Sequence, residues 1–146
     1  MLKLLVSILD NIDLDKYNKS SYNDVKAGAW YGKYIAWAVD NKVVSGYGNG
    51  SFGPTNLITR EQMAMMLSNF LKAIGLELDA ENAEMNFKDA DKIGAWAKKA
   101  IVEIQRAGIV NGKNEGIYDP KGNTTRAEAA KVVAEVLKRY LNKINF

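Results

Sequence analysis

The sequence repeats itself, and this limits its folds more than any other feature. Trp30 and Trp96 stand 66 residues apart, and at that offset residues 30–63 align with 96–129 without a gap. Ile35 meets Ile101, Val43-Val44 meets Ile109-Val110, and Gly46 meets Gly112. Gly50 meets Gly116, Phe52 meets Tyr118, Pro54 meets Pro120, and Thr59-Arg60 meets Thr125-Arg126. Upstream, Tyr22-Asn23-Asp24 matches Phe87-Lys88-Asp89 at an offset of 65.

A partial third copy opens the chain. After Arg60, apolar residues fall at Met63, Met66, Leu67, Phe70, Leu71 and Ile74, the spacing of an amphipathic helix. At an offset of 62 these meet Met1, Leu4, Leu5, Ile8, Leu9 and Ile12. After Arg126 the stripe is Ala129, Val132, Val133, Val136, Leu137, Tyr140 and Leu141. Residues 1–21 therefore read as the last helix and linker of a truncated repeat. Residues 22–84 and 85–146 read as full repeats, and the three segments as one compact domain. The truncated copy's Thr-Arg motif would fall before residue 1.

Each repeat should run helix, irregular loop, helix. The first helices are expected over 29–41 and 95–107. Their inner faces would use Trp30, Tyr34, Trp37 and Ala38, then Trp96, Ala100, Ile104 and Ala107. The loops are 46–54 and 112–120, with Asn49-Gly50 as a tight-turn signal. Residues 77–84 are polar and acidic and read as a linker. The expected fold is all-α, with irregular Gly-rich loops. Three second helices would form a three-helix core of pseudo-three-fold symmetry, its first lobe incomplete.

Composition narrows the chemistry. The 146 residues include no Cys and no His, which excludes thiol and His-dependent catalysis, disulfides, and zinc sites built on those ligands. The 20 Lys and Arg are interspersed with 17 Asp and Glu, so no basic stripe follows a nucleic-acid backbone. No apolar run is long enough to span a membrane. Residues 1–9 are apolar but make a poor signal peptide: no small-residue cleavage site follows, and Asp10, Asp13 and Asp15 come next.

The Thr-Arg motif carries the chemistry. Thr59 with Gln62, and Thr125 with Glu128, have the Thr-x-x-Gln/Glu spacing of a capping box. Capping does not explain Arg60 and Arg126, since a cation in a first turn opposes the helix dipole. Free amides, the dipole's positive end and a guanidinium together make an anion site. The alternative is an internal salt bridge to a carboxylate such as Asp24 or Asp89, and both readings stand open. Gly46 and Gly112 could bring backbone close to a ligand or simply serve turn geometry. Trp30 and Trp96 read as core residues, with sugar stacking the alternative. Asp89, Asp91 and Asp119 lack the spacing of a calcium loop, so no metal site is assigned. Nothing in the spacing of Glu61, Glu103 and Glu128 favours a glycosidase pair over solvated helix faces, so no catalytic residue or cofactor is assigned.

Each repeat resembles the S-layer homology repeat of bacterial cell-surface proteins. The carriers are Tyr22-Asn23-Asp24, Trp30, the 46–50 loop, Phe52-Gly53-Pro54 and Ile58-Thr59-Arg60-Glu61-Gln62. The second set is Phe87-Lys88-Asp89, Trp96, the 108–116 loop, Tyr118-Asp119-Pro120 and Thr124-Thr125-Arg126-Ala127-Glu128. The resemblance implies a non-catalytic, three-lobed module that anchors proteins to an anionic secondary cell-wall polysaccharide attached to peptidoglycan, often one with pyruvylated sugars. It places the chain outside the cell, at the wall or surface layer of a Gram-positive organism. By the match, Arg60 and Arg126 pair with the sugar acid, Gly46 and Gly112 line the groove, and Trp30 and Trp96 form a wall. Gln62 departs from the usual Glu. The alternative function is a structural module that self-assembles, as a homo-oligomer, through protein contacts. A wall hydrolase is disfavoured for want of a carboxylate pair.

Overall fold

The computed structural model describes residues 1–10 and 12–144. Among these residues the fold is all-α, as expected. It has α1 (Leu2–Val6), α2 (Gly32–Asp40), α3 (Arg60–Ala73), α4 (Lys98–Arg106) and α5 (Arg126–Ile144), joined by loops and short 3-10 turns. The one β feature among the described residues is an isolated bridge between Thr59 and Asn123. The chain divides into two compact units, Met1–Asn56 and Leu57–Phe146, and the break falls inside the first full sequence repeat.

In the first unit, α1 packs against α2. The apolar stripe runs on to Leu9, but the α-helix ends at Val6. Ser7 Oγ donates to the Lys3 carbonyl. Ile8 and Leu9 then make i to i−3 turn bonds to Leu5 and Val6. Asp10, Asp13 and Asp15 follow, where negative charge is unfavourable to a continuing helix.

In the second unit, α3 packs against α4. Met63, Ala64, Leu67 and Phe70 of α3 and Ala97 and Ile104 at α4 are fully buried. Ser68 Oγ donates to Glu103 at 2.8 Å, and Lys72 pairs with the same carboxylate at 3.2 Å. α5 reaches the ends of both neighbours with cations four residues apart. Arg139 donates to the Ala107 carbonyl just past α4, and Lys143 to that of Gly75 just past α3. The Ala107 carbonyl belongs to the C-cap of α4, at the negative end of its dipole, and Gly75 lies one residue past the C-cap of α3.

α2 and α4 each begin three residues later than expected. Neither has a side-chain cap. The preceding residues form tight turns, with Gly32 N donating to Ala29 O and Ala97 N to Gly94 O. Trp30 and Trp96 lie in those turns and not on the inner faces. They are 66% and 51% exposed, which corrects the expectation of core tryptophans, while Trp37 is buried.

The same clamp ties each repeat's start to its loop. Asp24 accepts the Phe52 and Gly53 amides at 2.8 and 2.7 Å. Asp89 accepts those of Tyr118 and Asp119 at 2.9 and 2.8 Å. The Tyr22 ring packs on Phe52 at 5.4 Å, and the Phe87 ring on Tyr118 at 5.2 Å. Gly46 and Gly112 sit under these rings. A Cβ at Gly112 would lie 2.6 Å from the Phe87 ring and 2.9 Å from the Ile117 oxygen, both closer than packing allows. Gly112→Ala is therefore expected to destabilise the second unit by about 1–3 kcal/mol. A urea midpoint equal to wild type would show that the ring does not close over the glycine.

Candidate functional site

The candidate site is built on the first turns of α3 and α5. Both capping boxes are closed in both directions. Thr59 N donates to Gln62 Oε1 at 2.9 Å, and Gln62 N to Thr59 Oγ1 at 3.3 Å. Thr125 N donates to Glu128 Oε2 at 2.8 Å, and Glu128 N to Thr125 Oγ1 at 3.1 Å.

Beyond the boxes the two helix starts differ. At α3 the first-turn amides are used inside the protein: Arg60 N donates to Gly122 O at 2.9 Å and Glu61 N to Pro120 O at 3.1 Å. Arg60 is 3% exposed. Its Nε donates to Tyr118 O at 2.7 Å, Nη2 to Asn111 O at 3.1 Å, and Nη1 to Glu128 Oε1. The guanidinium also lies over the Tyr118 ring, 5.0 Å from its centroid. Of the two readings open for Arg60, the internal salt bridge is the one built here. Its partner is Glu128, and Asp24 and Asp89 are the loop clamps instead. Burial and the nearby carboxylates push the Tyr118 hydroxyl well above its ordinary range, against the pull of Arg60, so it stays protonated.

At α5 the arrangement is open. Arg126 and Ala127 are exposed. Among the described residues, neither their amides nor the Arg126 guanidinium has a protein partner. Two free amides, the positive end of a 19-residue helix and an unpaired guanidinium meet here. That is the composition of an anion site.

The remaining candidates fall around this frame. Trp30 is flanked by Lys3, whose ammonium lies 5.3 Å from the ring centroid, and by the edge of Tyr31. Trp96 folds back over Gly94. Next to Gly112, the residues Lys113, Asn114, Ile117 and Asp119 line an open pocket of about 470 Å³. Lys113 and Asp119 pair across it at 2.5 Å. The three glutamates weighed as a hydrolytic set are each engaged. Glu61 accepts Gly94 N at 2.9 Å and pairs with Lys121. Glu103 holds Ser68 and Lys72, and Glu128 holds Arg60 and Thr125. Among the described residues no group of three or more acidic side chains could hold a metal ion. Among the described residues no helix is long and apolar enough to cross a membrane.

Three carboxyls of this frame sit below their ordinary range. Asp24 is lowered by the Phe52 and Gly53 amides, and Asp119 by Lys113. At Glu128 burial opposes the charge, but the Thr125 hydrogen bonds and Arg60 outweigh it. A depressed acid stabilises the fold above its unfolded pKa of about 4, and that stabilisation is lost as pH falls through the lowered folded value. Stability is therefore expected to drop below about pH 4, with a shallower drop in Asp24→Asn. Thermal melts between neutral and acid pH check this; identical acid slopes in the two proteins would contradict it.

Comparison with known proteins agrees with the repeat pattern. A family profile described as the S-layer homology domain matches residues 21–64 and 86–130. S-layer protein EA1 of Bacillus anthracis is 36% identical over 113 residues, which is 77% of this chain and 12% of that protein. Exoglucanase XynX of Acetivibrio thermocellus is 32% identical over 142 residues, 97% of this chain and 12% of that protein. A cellulosome-anchoring protein of Acetivibrio thermocellus is 25% identical over 130 residues, 89% of this chain and 29% of that protein. The chain thus spans less than a third of the length of each. No solved structure gives a significant match. The two profile matches cover more than half of the residues, each containing its own Thr-Arg motif, and the chain belongs to the S-layer homology domain family.

Proposed function

We propose that this chain is a non-catalytic anchoring module that holds its parent protein at the cell wall by binding an anionic secondary cell-wall polysaccharide. The observation that carries this reading is the open first turn of α5, where Arg126 and two unpartnered amides face solvent. A guanidinium fork beside helix N-terminal amides suits a carboxylate, such as the acid of a pyruvylated sugar. The relatives named for surface layers, for cellulosome anchoring and for polysaccharide hydrolysis share this segment while differing in the rest of their length. A common anchor joined to different cargo accounts for that.

In this reading Arg126 is the principal contact. Arg60 acts from inside, fixing Glu128 in the box that opens α5. Trp96 and Trp30 offer exposed aromatic faces to sugar rings. Gly46 and Gly112 let the loops turn close beneath their aromatic rings, and the pocket beside Gly112 gives the polymer a second foothold. The test is sedimentation with Gram-positive sacculi before and after the secondary polymer is stripped. Binding is expected on intact walls and lost on stripped ones. Equal binding to both would overturn the polysaccharide reading. A second reading, assembly through protein contacts, is favoured by the open apolar face of α5.

A further inference from the structure

We propose that Asn49 is a self-modification site: the Gly50 backbone amide attacks the Asn49 side chain, and the residue becomes aspartate or isoaspartate with loss of ammonia. Asn49 and Gly50 are both exposed. The peptide unit between them is free at both ends. Among the described residues, the Gly50 amide donates to no protein acceptor and the Asn49 carbonyl accepts from no protein donor. Gly50 has no side chain to shield its nitrogen. The Asn49 carboxamide, in contrast, is held. Its Oδ1 accepts from Ser51 N at 3.1 Å and from Ser51 Oγ at 2.5 Å. Two donors therefore point at the oxygen on which charge develops when the carboxamide carbon is attacked, as in an oxyanion hole.

The reaction balances with water as its co-reactant. The Gly50 nitrogen gives its proton to solvent and bonds to Asn49 Cγ, closing a ring. The carbonyl electron pair moves onto Oδ1, where Ser51 N and Oγ stabilise it. The pair returns as the Cγ–Nδ2 bond breaks, and Nδ2 takes a proton from water and leaves as ammonia. Water then opens the cyclic imide. Addition at Cγ gives aspartate, and addition at the backbone carbonyl carbon gives isoaspartate. Nothing is oxidised or reduced. Nucleophile and electrophile are neighbours on one chain, so no second molecule has to be gathered for the attack.

The chain carries its own comparison, because Asn111-Gly112 is its other Asn-Gly pair. There the peptide unit is pinned. The Asn111 carbonyl accepts from Arg60 Nη2 at 3.1 Å, and Gly112 lies beneath the Phe87 ring. Among the described residues no donor reaches the Asn111 carboxamide. Ring closure has to turn the peptide unit toward the side chain, which the buried Arg60 opposes at Asn111 and nothing opposes at Asn49. The product alters the first repeat's loop. Gly50 O accepts from Asn23 N, and Ser51 O from Tyr47 N, each at 3.0 Å. Asp24, next to Asn23, clamps the Phe52 and Gly53 amides. Isoaspartate inserts a backbone carbon ahead of Gly50 and moves these groups out of register, and either product adds a negative charge to the loop.

The test incubates the full chain at neutral and mildly alkaline pH, folded and in urea. Peptide mass spectrometry follows positions 49 and 111, with fragmentation that separates isoaspartate from aspartate. In the folded chain Asn49 is expected to convert, faster at the higher pH, while Asn111 keeps its amide. In urea both convert. Ser51→Ala is expected to slow conversion at Asn49 by about three- to tenfold in the folded chain, the scale of one lost hydrogen bond, and to change nothing in urea. Ser51→Thr keeps the hydroxyl and should keep the rate. Melting curves establish that each variant is folded. An Asn49 amide that survives in the folded chain while it converts in urea would overturn the proposal. So would equal rates at Asn49 in folded Ser51→Ala and wild type.

Discussion

Arg60→Ala is expected to cost about 3 kcal/mol of folding stability, most of it from groups left without partners. The substitution strands the Tyr118 and Asn111 carbonyls and frees one oxygen of Glu128. It also opens a cavity against the fully buried Tyr118 ring. Each buried acceptor without a donor costs about 1–3 kcal/mol. Glu128 is partly exposed, so water relieves part of its share. For a domain of this size such a loss lowers the melting temperature by about 6–12 °C. Arg60→Lys should fall between, since an ammonium keeps the charge but cannot reach three acceptors in fork geometry. The denaturant midpoint measures this. A loss below about 0.5 kcal/mol, the range of an ordinary surface substitution, would show that the guanidinium does not hold the second unit together.

What could be read from the sequence, and what could not, divides along physical lines. Capping boxes, amphipathic stripes and turn glycines depend on residues a few positions apart, so Thr59 with Gln62 and Thr125 with Glu128 declare themselves. Apolar spacing continues through Trp30 and Trp96 and so sets the helix starts three residues early. Spacing does not register that no side chain caps the helix at that point. The partner of Arg60 lies 68 residues away, and nothing local separates Glu128 from Asp24 or Asp89 as its counter-ion. A signal was nevertheless present: the box residue is Gln62 in one copy and Glu128 in the other, so the charge sits only where an arginine from the preceding repeat reaches it. The clamp aspartates were visible as equivalent positions, but their role needs the loop to fold back over them. The difference between Arg60 and Arg126 could not be read from the motif at all. Thr-Arg opens both boxes; the difference is that residues 111–122 close over Arg60, and no described residue does so over Arg126.

That difference sets up the largest functional effect. Arg126→Ala is expected to weaken binding to wall polymer by about 30–100-fold, or 2–3 kcal/mol, while leaving the melting temperature near wild type. The side chain is exposed and has no protein partner among the described residues, so nothing in the fold is lost with it. Against a ligand carboxylate it would supply two charge-assisted hydrogen bonds that no neighbour can replace, since Arg60 is committed to Glu128. Arg126→Lys keeps the charge without the fork and should retain part of the affinity. Raised salt should narrow the gap between wild type and Arg126→Ala, because an exposed pair is screened. Sacculus binding measured alongside melting separates this from Arg60→Ala, whose loss of binding should follow its loss of fold. If Arg126→Ala binds polymer as wild type does, the open turn of α5 is not the anion site, and the polymer must be held by the exposed tryptophans and the pocket beside Gly112.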